Sequence, residues 1–365
     1  MIAGAVCLLV ASCADQASEP PPLSSPPETG SVAVAASTPS VEVRGLLEDW
    51  AAQGDGAAAV ALAASGGAVQ VHAAGAASAD DRDVDEDSGF RIGSLTKTFV
   101  AVMVLQALDE QDIGLDTAVA DLVAVDADGV TIRQLLSHRS GLPEHTDGEL
   151  APAVLAEPDR KWTATDVMAL VEDQPLEFEP GARFAYSNTN YIVTGLLLEK
   201  LTGSSVAENL RTRLVEPLAM TGTYFPPDPS RHPVTGFSRS LPGGTSDASA
   251  YTALETAAGA AGGMVSTAGD VATFIQALGD GELLPPDVYR EMVADIDGPD
   301  GAGLGVFAAD PPSPTGISNA GAIPGFVSFM QYDPATGDVL VLLVSDDSRS
   351  VEPLGAGLQD LLEAG

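Results

Sequence analysis

Cysteine is nearly absent from this chain: only Cys7 and Cys13 occur in 365 residues, both close to the first residue. That excludes a disulfide framework, a Cys-ligated metal site and a catalytic thiol from the body of the chain, which is held by its core alone. Basic residues are also scarce. Sixteen Lys and Arg stand against 52 Asp and Glu, a net charge of −36. Such a surface repels phosphate backbones and anionic membrane faces, so nucleic-acid binding is excluded. The acidity favours solubility and says little about fold. Aromatic residues make up only 5% of the chain, yet 45% is hydrophobic overall, enough for one large domain or two ordinary ones. No G-x-S-x-G occurs, which argues against an α/β-hydrolase. Gly301-Ala302-Gly303-Leu304-Gly305 lacks both a glycine at the right distance and a following helix, so it is no dinucleotide loop.

The uncharged run Ala3–Ala11 is too short to span a bilayer and fits the core of a signal peptide. No basic residue precedes it, which points to a true start upstream. It leads into Val10-Ala11-Ser12-Cys13, a stretch similar to the lipobox of bacterial lipoproteins, in which the cysteine is lipidated after cleavage. The expectation is a lipoprotein signal peptide over 1–12 and an extracytoplasmic protein anchored to the membrane through Cys13 alone. The alternative is an ordinary signal peptide with an incidental cysteine, giving a secreted protein. Residues 13–43, rich in Pro, Ser and Ala, read as a disordered tether, with order beginning near Val43.

Beyond the tether, Leu46, Leu47 and Trp50 recur at helical spacing. Ala57–Ala64 and Ala68–Ala74, separated by Ser65-Gly66-Gly67, read as a β-hairpin. The middle is helical. Thr131-Ile132-Arg133-Gln134, Thr163-Ala164-Thr165-Asp166 and Ser205-Val206-Ala207-Glu208 fit the capping box or its Asp variant, and Asn190–Leu201 is an apolar helix. Thr267–Asp270 caps another, running through Phe274 and Leu278. Gly303–Ala308, Phe326–Tyr332 and Val339–Ser345 read as strands, the last central and buried because it is nearly continuous in apolar residues. Leu354–Leu362 closes the chain as a helix. Strands, helices, strands is the order of an α+β fold: an antiparallel sheet flanked by helices, built from both chain ends, with a largely helical subregion inserted. Residues 44–365 would form this domain, its sheet part about 44–93 and 255–365 and its helical part about 94–254.

Ser94-Leu95-Thr96-Lys97 stands at the start of an apolar helix that carries Phe99, Val102, Met103 and Leu105. Residues i and i+3 share a helix face, close enough to touch. A serine hydroxyl is a poor nucleophile until a base takes its proton. A lysine is that base if burial and the positive helix N-terminus favour its neutral form. Gly93 lets the backbone approach a substrate closely. Alone, the pair is equally a solvated lysine on a surface helix.

Three more stretches accompany it: Tyr186-Ser187-Asn188, Leu135-Leu136-Ser137-His138-Arg139-Ser140-Gly141-Leu142, and Asn319-Ala320-Gly321-Ala322-Ile323-Pro324-Gly325-Phe326. With Phe90-Arg91-Ile92-Gly93-Ser94 and Gly262-Gly263-Met264-Val265-Ser266-Thr267, they give the chain from about Trp50 onward a resemblance to the serine β-lactamase and penicillin-binding-protein superfamily. It looks most like the branch of class C β-lactamases, D-Ala-D-Ala carboxypeptidases and related esterases. The resemblance implies a β-lactamase/transpeptidase-like fold, Ser94 as the nucleophile of an acyl-enzyme, and Lys97 and Tyr186 as proton carriers, either with Tyr186 as phenolate or by relay through the amine. That use of Tyr186 calls for a lowered pKa beside an ammonium. It further implies that Asn188 binds the substrate amide and fixes Lys97, and that Asn319, Gly321 and Ala322 line the substrate. The Ser94 and Ala322 N–H groups would form an oxyanion hole, with Gly321 letting an edge strand approach. No metal or organic cofactor is needed, and the partner is a small-molecule or peptide acyl substrate. Read singly, Tyr186 is a core tyrosine, Asn188 a turn cap, and His138 and His145 structural histidines rather than metal ligands.

The chain departs from the pattern at Asn319 and Ala320, where related enzymes usually place Lys or His and often a hydroxyl residue to hold a substrate carboxylate. Two readings compete: the site serves neutral or ester substrates, or an Arg or other donor from a loop restores the clamp and a peptidase or β-lactamase remains. A third is a non-catalytic cell-envelope binding protein of the same fold. Intact-mass analysis of the membrane form should show lipid on Cys13; an unmodified N-terminal peptide contradicts the anchor.

Overall fold

The computed structural model describes residues 39–53, 57–65, 68–76, 83–228, 230–241, 246–309 and 313–363. The apolar run at 3–11, Cys13 and the tether as far as residue 38 lie outside them. In chain order the strands are β1 (Ala59–Ser65), β2 (Ala68–Ala74), β3 (Phe90–Arg91), β4 (Phe237–Ser238), β5 (Ser246–Asp247), β6 (Val265–Ser266), β7 (Phe307–Ala308), β8 (Ile317–Ile323), β9 (Phe326–Asp333) and β10 (Asp338–Val344). Six form one sheet in the order β2-β1-β10-β9-β8-β7, with every neighbouring pair antiparallel. Strands from the two chain ends therefore meet where β1 pairs with β10, Ala59 opposite Val344. The chain joins an antiparallel sheet with helices on its faces, the α+β arrangement.

The helices are α1 (Pro39–Ala51), α2 (Leu95–Glu110), α3 (Ile132–Leu136), α4 (Leu150–Ala156), α5 (Ala164–Met168), α6 (Thr189–Thr202), α7 (Val206–Leu210), α8 (Glu216–Leu218), α9 (Thr252–Gly262), α10 (Ala268–Gly279), α11 (Pro286–Val293) and α12 (Glu352–Glu363). Successive strand residues point to opposite faces, and the core divides accordingly. Ala59, Ala61, Ala63, Leu340, Leu342 and Val344 pack with Val43, Leu47 and Trp50 of α1 and Leu354 and Leu358 of α12. Val60, Leu62, Val339, Val341 and Leu343 face the larger cluster with α2 and α10. A strand apolar on both faces is what such a two-sided sheet requires at its centre. Helix α2 is buried along nearly its whole length, including Thr96, Lys97 and Thr98. A helix apolar all round belongs inside a domain, and a stacked pair, Phe99 on Phe274, locks α2 to α10 with ring centroids 3.6 Å apart.

Thr131 with Gln134 and Thr163 with Asp166 make reciprocal capping boxes. Ser205 accepts from the Glu208 N–H, but the Glu208 carboxylate turns to Arg211 instead of closing the box. Two expectations are corrected. Helix α1 starts at Pro39, inside the stretch read as tether, because proline at a first helical position forfeits no intrahelical hydrogen bond. The strand expected over Gly303–Ala308 shrinks to β7. Gly305, at φ +81°, bends the chain onto α2, and a Cβ there would lie 2.6 Å from the Ala101 Cβ. Its carbonyl accepts from Thr98 Oγ1 at 2.7 Å. Among the described residues no helix is long and apolar enough to cross a membrane.

One buried ion pair joins the segment before Ser94 to α9. Arg91 donates to Glu255 Oε1 from Nε at 2.7 Å and to the Ala248 carbonyl at 3.0 Å, with 3% and 7% of the two charged side chains exposed. Removing one partner strands the other charge in the interior, so Glu255→Gln should cost about 3–5 kcal/mol in urea unfolding. The exposed Glu48→Gln should stay within about 0.5 kcal/mol.

Candidate active site

Ser94 directly precedes the first residue of α2. Gly93, at φ +49°, makes the sharp turn that delivers it. One helical turn on, Lys97 is 1% exposed. Its Nζ lies 2.9 Å from Ser94 Oγ, 2.8 Å from Asn188 Oδ1 and 2.6 Å from the Ala261 carbonyl. An ammonium would donate to all three. A neutral amine donates to Asn188 and Ala261, which can only accept, and turns its lone pair to the Ser94 hydroxyl. Burial favours the neutral form and lowers the Lys97 pKa to about 7, with the Glu144 carboxylate pulling the other way. The Ala261 carbonyl is free for this contact because α9 breaks at Gly259 (φ +43°, ψ −130°) and ends at Gly262.

Tyr186 donates to Ser94 Oγ at 2.7 Å, and Lys97 Nζ stands 4.9 Å from its ring centroid. The expected fall in the Tyr186 pKa is corrected: burial pushes it up, the hydrogen bond to Ser94 opposes, and the Glu144 carboxylate adds to the rise. The hydroxyl end is packed against Ser94 even though the residue as a whole is 39% exposed to solvent. Burial and the hydrogen bond it donates to Ser94 are those of a phenol, not a phenolate.

The loop 138–145 holds Tyr186-Ser187-Asn188 from behind. His138, at φ +56°, stacks on the Tyr186 ring with centroids 4.3 Å apart. Its Nδ1 accepts from the Ser187 N–H at 3.2 Å and faces Asn190 Nδ2 at 3.2 Å. Burial and the neighbouring Lys97 lower its pKa to about 3, so the imidazole is a neutral platform. His145 Nδ1 meets Thr189 Oγ1 at 3.1 Å, and Glu144 Oε2 accepts the Asn188 N–H at 2.5 Å. Ser94, Lys97, Tyr186 and Asn188 are thus brought together.

Strand β8 forms the opposite wall. Among the described residues it has no strand partner on the β7 side beyond Ser318. Ala320 N–H bonds to Asn319 Oδ1 at 2.8 Å rather than to a β9 carbonyl. Ala322, two residues on, has the same orientation, so its N–H also points away from β9. A Cβ on Gly93 would sit 2.8 Å from that Ala322 nitrogen, and a Cβ on Gly321 would sit 2.3 Å from the Ile92 carbonyl oxygen and 2.9 Å from the Ser94 nitrogen. Both glycines are needed for this approach. It brings the Ala322 N–H beside the Ser94 N–H, which precedes the helix and has no intrahelical carbonyl.

Asn319 departs from its expected role as a substrate ligand. Its side chain is 4% exposed, and Nδ2 donates to Thr98 Oγ1 at 2.8 Å and weakly to the Ser94 carbonyl at 3.4 Å. It ties β8 to α2 beneath Ser94. Strand alternation exposes Ala320 and Ala322 instead, leaving two methyl groups on that rim. Sequence reasoning missed the Ala261 carbonyl, Glu144, and His138 as a platform; only the Ser137–Leu142 run signalled the last. Among the described residues no three His, Cys, Asp or Glu are placed to hold a metal. Recesses between α2 and α11 (360 Å³) and between α1 and β2 (520 Å³) show no nucleophile paired with a base.

A serine hydroxyl beside a buried amine and a phenol, with two N–H groups close by, is an arrangement capable of acyl transfer. The Beta-lactamase family model matches residues 44–363. Penicillin-binding protein 4 of Amycolatopsis lactamdurans is 30% identical over 287 residues, 72% of this chain and 73% of that protein. The putative penicillin-binding protein PbpX of Bacillus subtilis (strain 168) is 25% identical over 71% of this chain, which spans only 62% of its length. Among solved structures, D-amino acid amidase from Ochrobactrum anthropi SV3, complexed with L-phenylalanine amide, superposes with a TM-score of 0.77. The two are 26% identical, with 90% of this chain and 98% of that one covered.

An ammonium cannot accept the Ser94 proton, so kcat/KM for an uncharged ester should rise with pH through about 7 as Lys97 deprotonates. His138, already neutral well below that range, should leave no inflection there. A flat profile between about pH 5 and 9 contradicts this assignment of the base.

Proposed function

The chain belongs to the Beta-lactamase family, and on that footing we propose that it is a serine hydrolase working through an acyl-enzyme on Ser94, with neutral esters or amides as substrates. The observation that carries the proposal is Lys97 Nζ 2.9 Å from Ser94 Oγ with its other contacts to groups that only accept. As Ser94 Oγ bonds to the substrate carbonyl carbon, its proton passes to Lys97. The developing oxyanion is held by the Ser94 and Ala322 N–H groups, donors already in place before charge develops. Collapse of this intermediate breaks the bond to the alcohol or amine. Tyr186 protonates that leaving group and is reprotonated from the Lys97 ammonium. Water then attacks the acyl-enzyme, gives its proton to the same pair, and the acid departs with Ser94 restored. Asn188 steadies Lys97 through both charge states.

The neutral-substrate part rests on the β8 rim. A carboxylate-bearing substrate would meet Ala320 and Ala322, with Asn319 turned inward. Losing a charge-assisted hydrogen bond of about 1.5–3 kcal/mol lowers recognition roughly ten- to a hundredfold. The −36 charge opposes anions further. The penicillin-binding-protein relatives favour the second reading, a D-Ala-D-Ala carboxypeptidase. In either case we place the enzyme outside the cytoplasm, tethered at Cys13.

A nitrophenyl acetate, a chromogenic cephalosporin and a D-Ala-D-Ala peptide, assayed side by side, separate these readings. The ester should be hydrolysed with acyl transfer to Ser94, and the other two at least about tenfold less efficiently. Comparable peptide release overturns the neutral-substrate reading. No turnover and no mass shift at Ser94 with an acylating probe overturns the enzyme.

A further inference from the structure

Gly321 leaves a space on the face of β8 that meets the turn before α2, and a hydroxyl from the neighbouring strand enters it. Ser328 of β9 stands opposite Gly321 in the register of the two strands. Opposite residues of an antiparallel pair share a face of the sheet. A Cβ on Gly321 would fall 2.4 Å from Ser328 Oγ and 2.3 Å from the Ile92 carbonyl oxygen. These two oxygens therefore occupy the place a side chain would take. They are bonded to each other: Ser328 Oγ donates to the Ile92 carbonyl at 2.7 Å, with the Gly321 carbonyl 3.5 Å from the same hydroxyl. Ser328 is 2% exposed, so water does not compete for this bond.

The Ile92 carbonyl opens the turn that presents Ser94. It also accepts the Leu95 N–H at 3.2 Å, which closes Ile92-Gly93-Ser94-Leu95. On its other side, the Ile92 N–H is held by the Met264 carbonyl just before β6, at 3.0 Å. The Ser94 N–H belongs to this turn, whereas the Ala322 N–H belongs to β8. Strand β8 is paired with β9 from Ile317 to Ile323. A bond from β9 to the turn therefore sets how far β8 stands from the turn. Asn319 fastens the strand to α2 two residues earlier; Ser328 fastens the strand pair at Gly321 itself.

We propose that Ser328 is a positioning residue for the oxyanion site: its hydroxyl, reaching across Gly321 to the Ile92 carbonyl, sets the spacing of the Ser94 and Ala322 N–H groups. This rests on the acyl-enzyme reading above. Such donors act only when aimed at the place the oxyanion will take, within ordinary N–H···O distance. A small opening of the gap costs rate and leaves ground-state binding alone. The fold does not depend on the hydroxyl. Without it the Ile92 carbonyl keeps the Leu95 N–H, so no buried acceptor is orphaned, and β9 keeps its ladders to β8 and β10.

The test compares the wild type, Ser328→Ala and Ser318→Ala. The last deletes a like hydroxyl, which β8 directs toward β7 and the Ala308 carbonyl at 2.6 Å. Nitrophenyl acetate gives kcat and KM, normalised to the folded fraction from circular dichroism. Phenylboronic acid gives the inhibition constant of a tetrahedral adduct: Ser94 Oγ bonds to boron, its proton passes to Lys97, and a boron oxygen takes the oxyanion's place. Ser328→Ala should lower kcat about tenfold with KM within about threefold, short of the roughly 10²–10³-fold lost when a donor is removed outright. Boronate affinity should fall by about the same factor as kcat/KM. Ser318→Ala should leave both within about twofold. A kcat within about twofold in Ser328→Ala, a change in KM alone, an unchanged boronate affinity, or an equal loss in Ser318→Ala overturns the inference and leaves Ser328 as a strand residue packed against Gly321. A wild type that neither acylates at Ser94 nor binds the boronate strikes the acyl-enzyme reading instead, and the inference falls with it.

Discussion

The hydrogen bond between Lys97 and Ser94 depends on a lysine being kept inside the protein without a permanent charge. Water would stabilise its ammonium, so the fold has to exclude water and still offer the amine two acceptors. Helix α2 does the first by being buried from Leu95 through Leu105. Asn188 and the Ala261 carbonyl do the second, each fixed by its own element, one at the start of α6 and the other at the end of α9. Because the amine is positioned from three directions, small shifts of any one element would be felt at Ser94.

The sheet supplies the other half of the machinery. Strand β8 reaches Ser94 only because glycine stands at 93 and 321, where added Cβ atoms would collide with backbone. Asn319 then secures the strand from below through Thr98. A position that resembles the start of a carboxylate clamp serves here as a fastening.

Much of this was readable from residue order. The i, i+3 spacing of Ser94 and Lys97 ahead of an apolar run located the helix on which the two side chains meet, and the continuous apolar stretch at 339–345 located the central strand. What was not readable has physical causes. The phase of β8, which decides that Ala320 and not Asn319 meets solvent, depends on which face packs on α2. Ala261 contributes a carbonyl, which leaves no side-chain signature. Glu144 and His138 lie far from Tyr186 in sequence and act on it only through the fold. Helices α4, α9 and α11 were not anticipated; α9, rich in alanine and glycine and broken at Gly259, carries little apolar periodicity. The direction of the Tyr186 pKa followed from assuming an ammonium that burial disfavours.

The chain's three lysines, at 97, 161 and 200, allow a direct measurement. With lysine labelled at Cε, each side chain should give its own NMR signal, and the signal missing from Lys97→Met identifies the buried one. That signal should titrate near the value of about 7 that burial imposes. A Lys97 signal that titrates at the ordinary lysine value of about 10.4 would contradict the account.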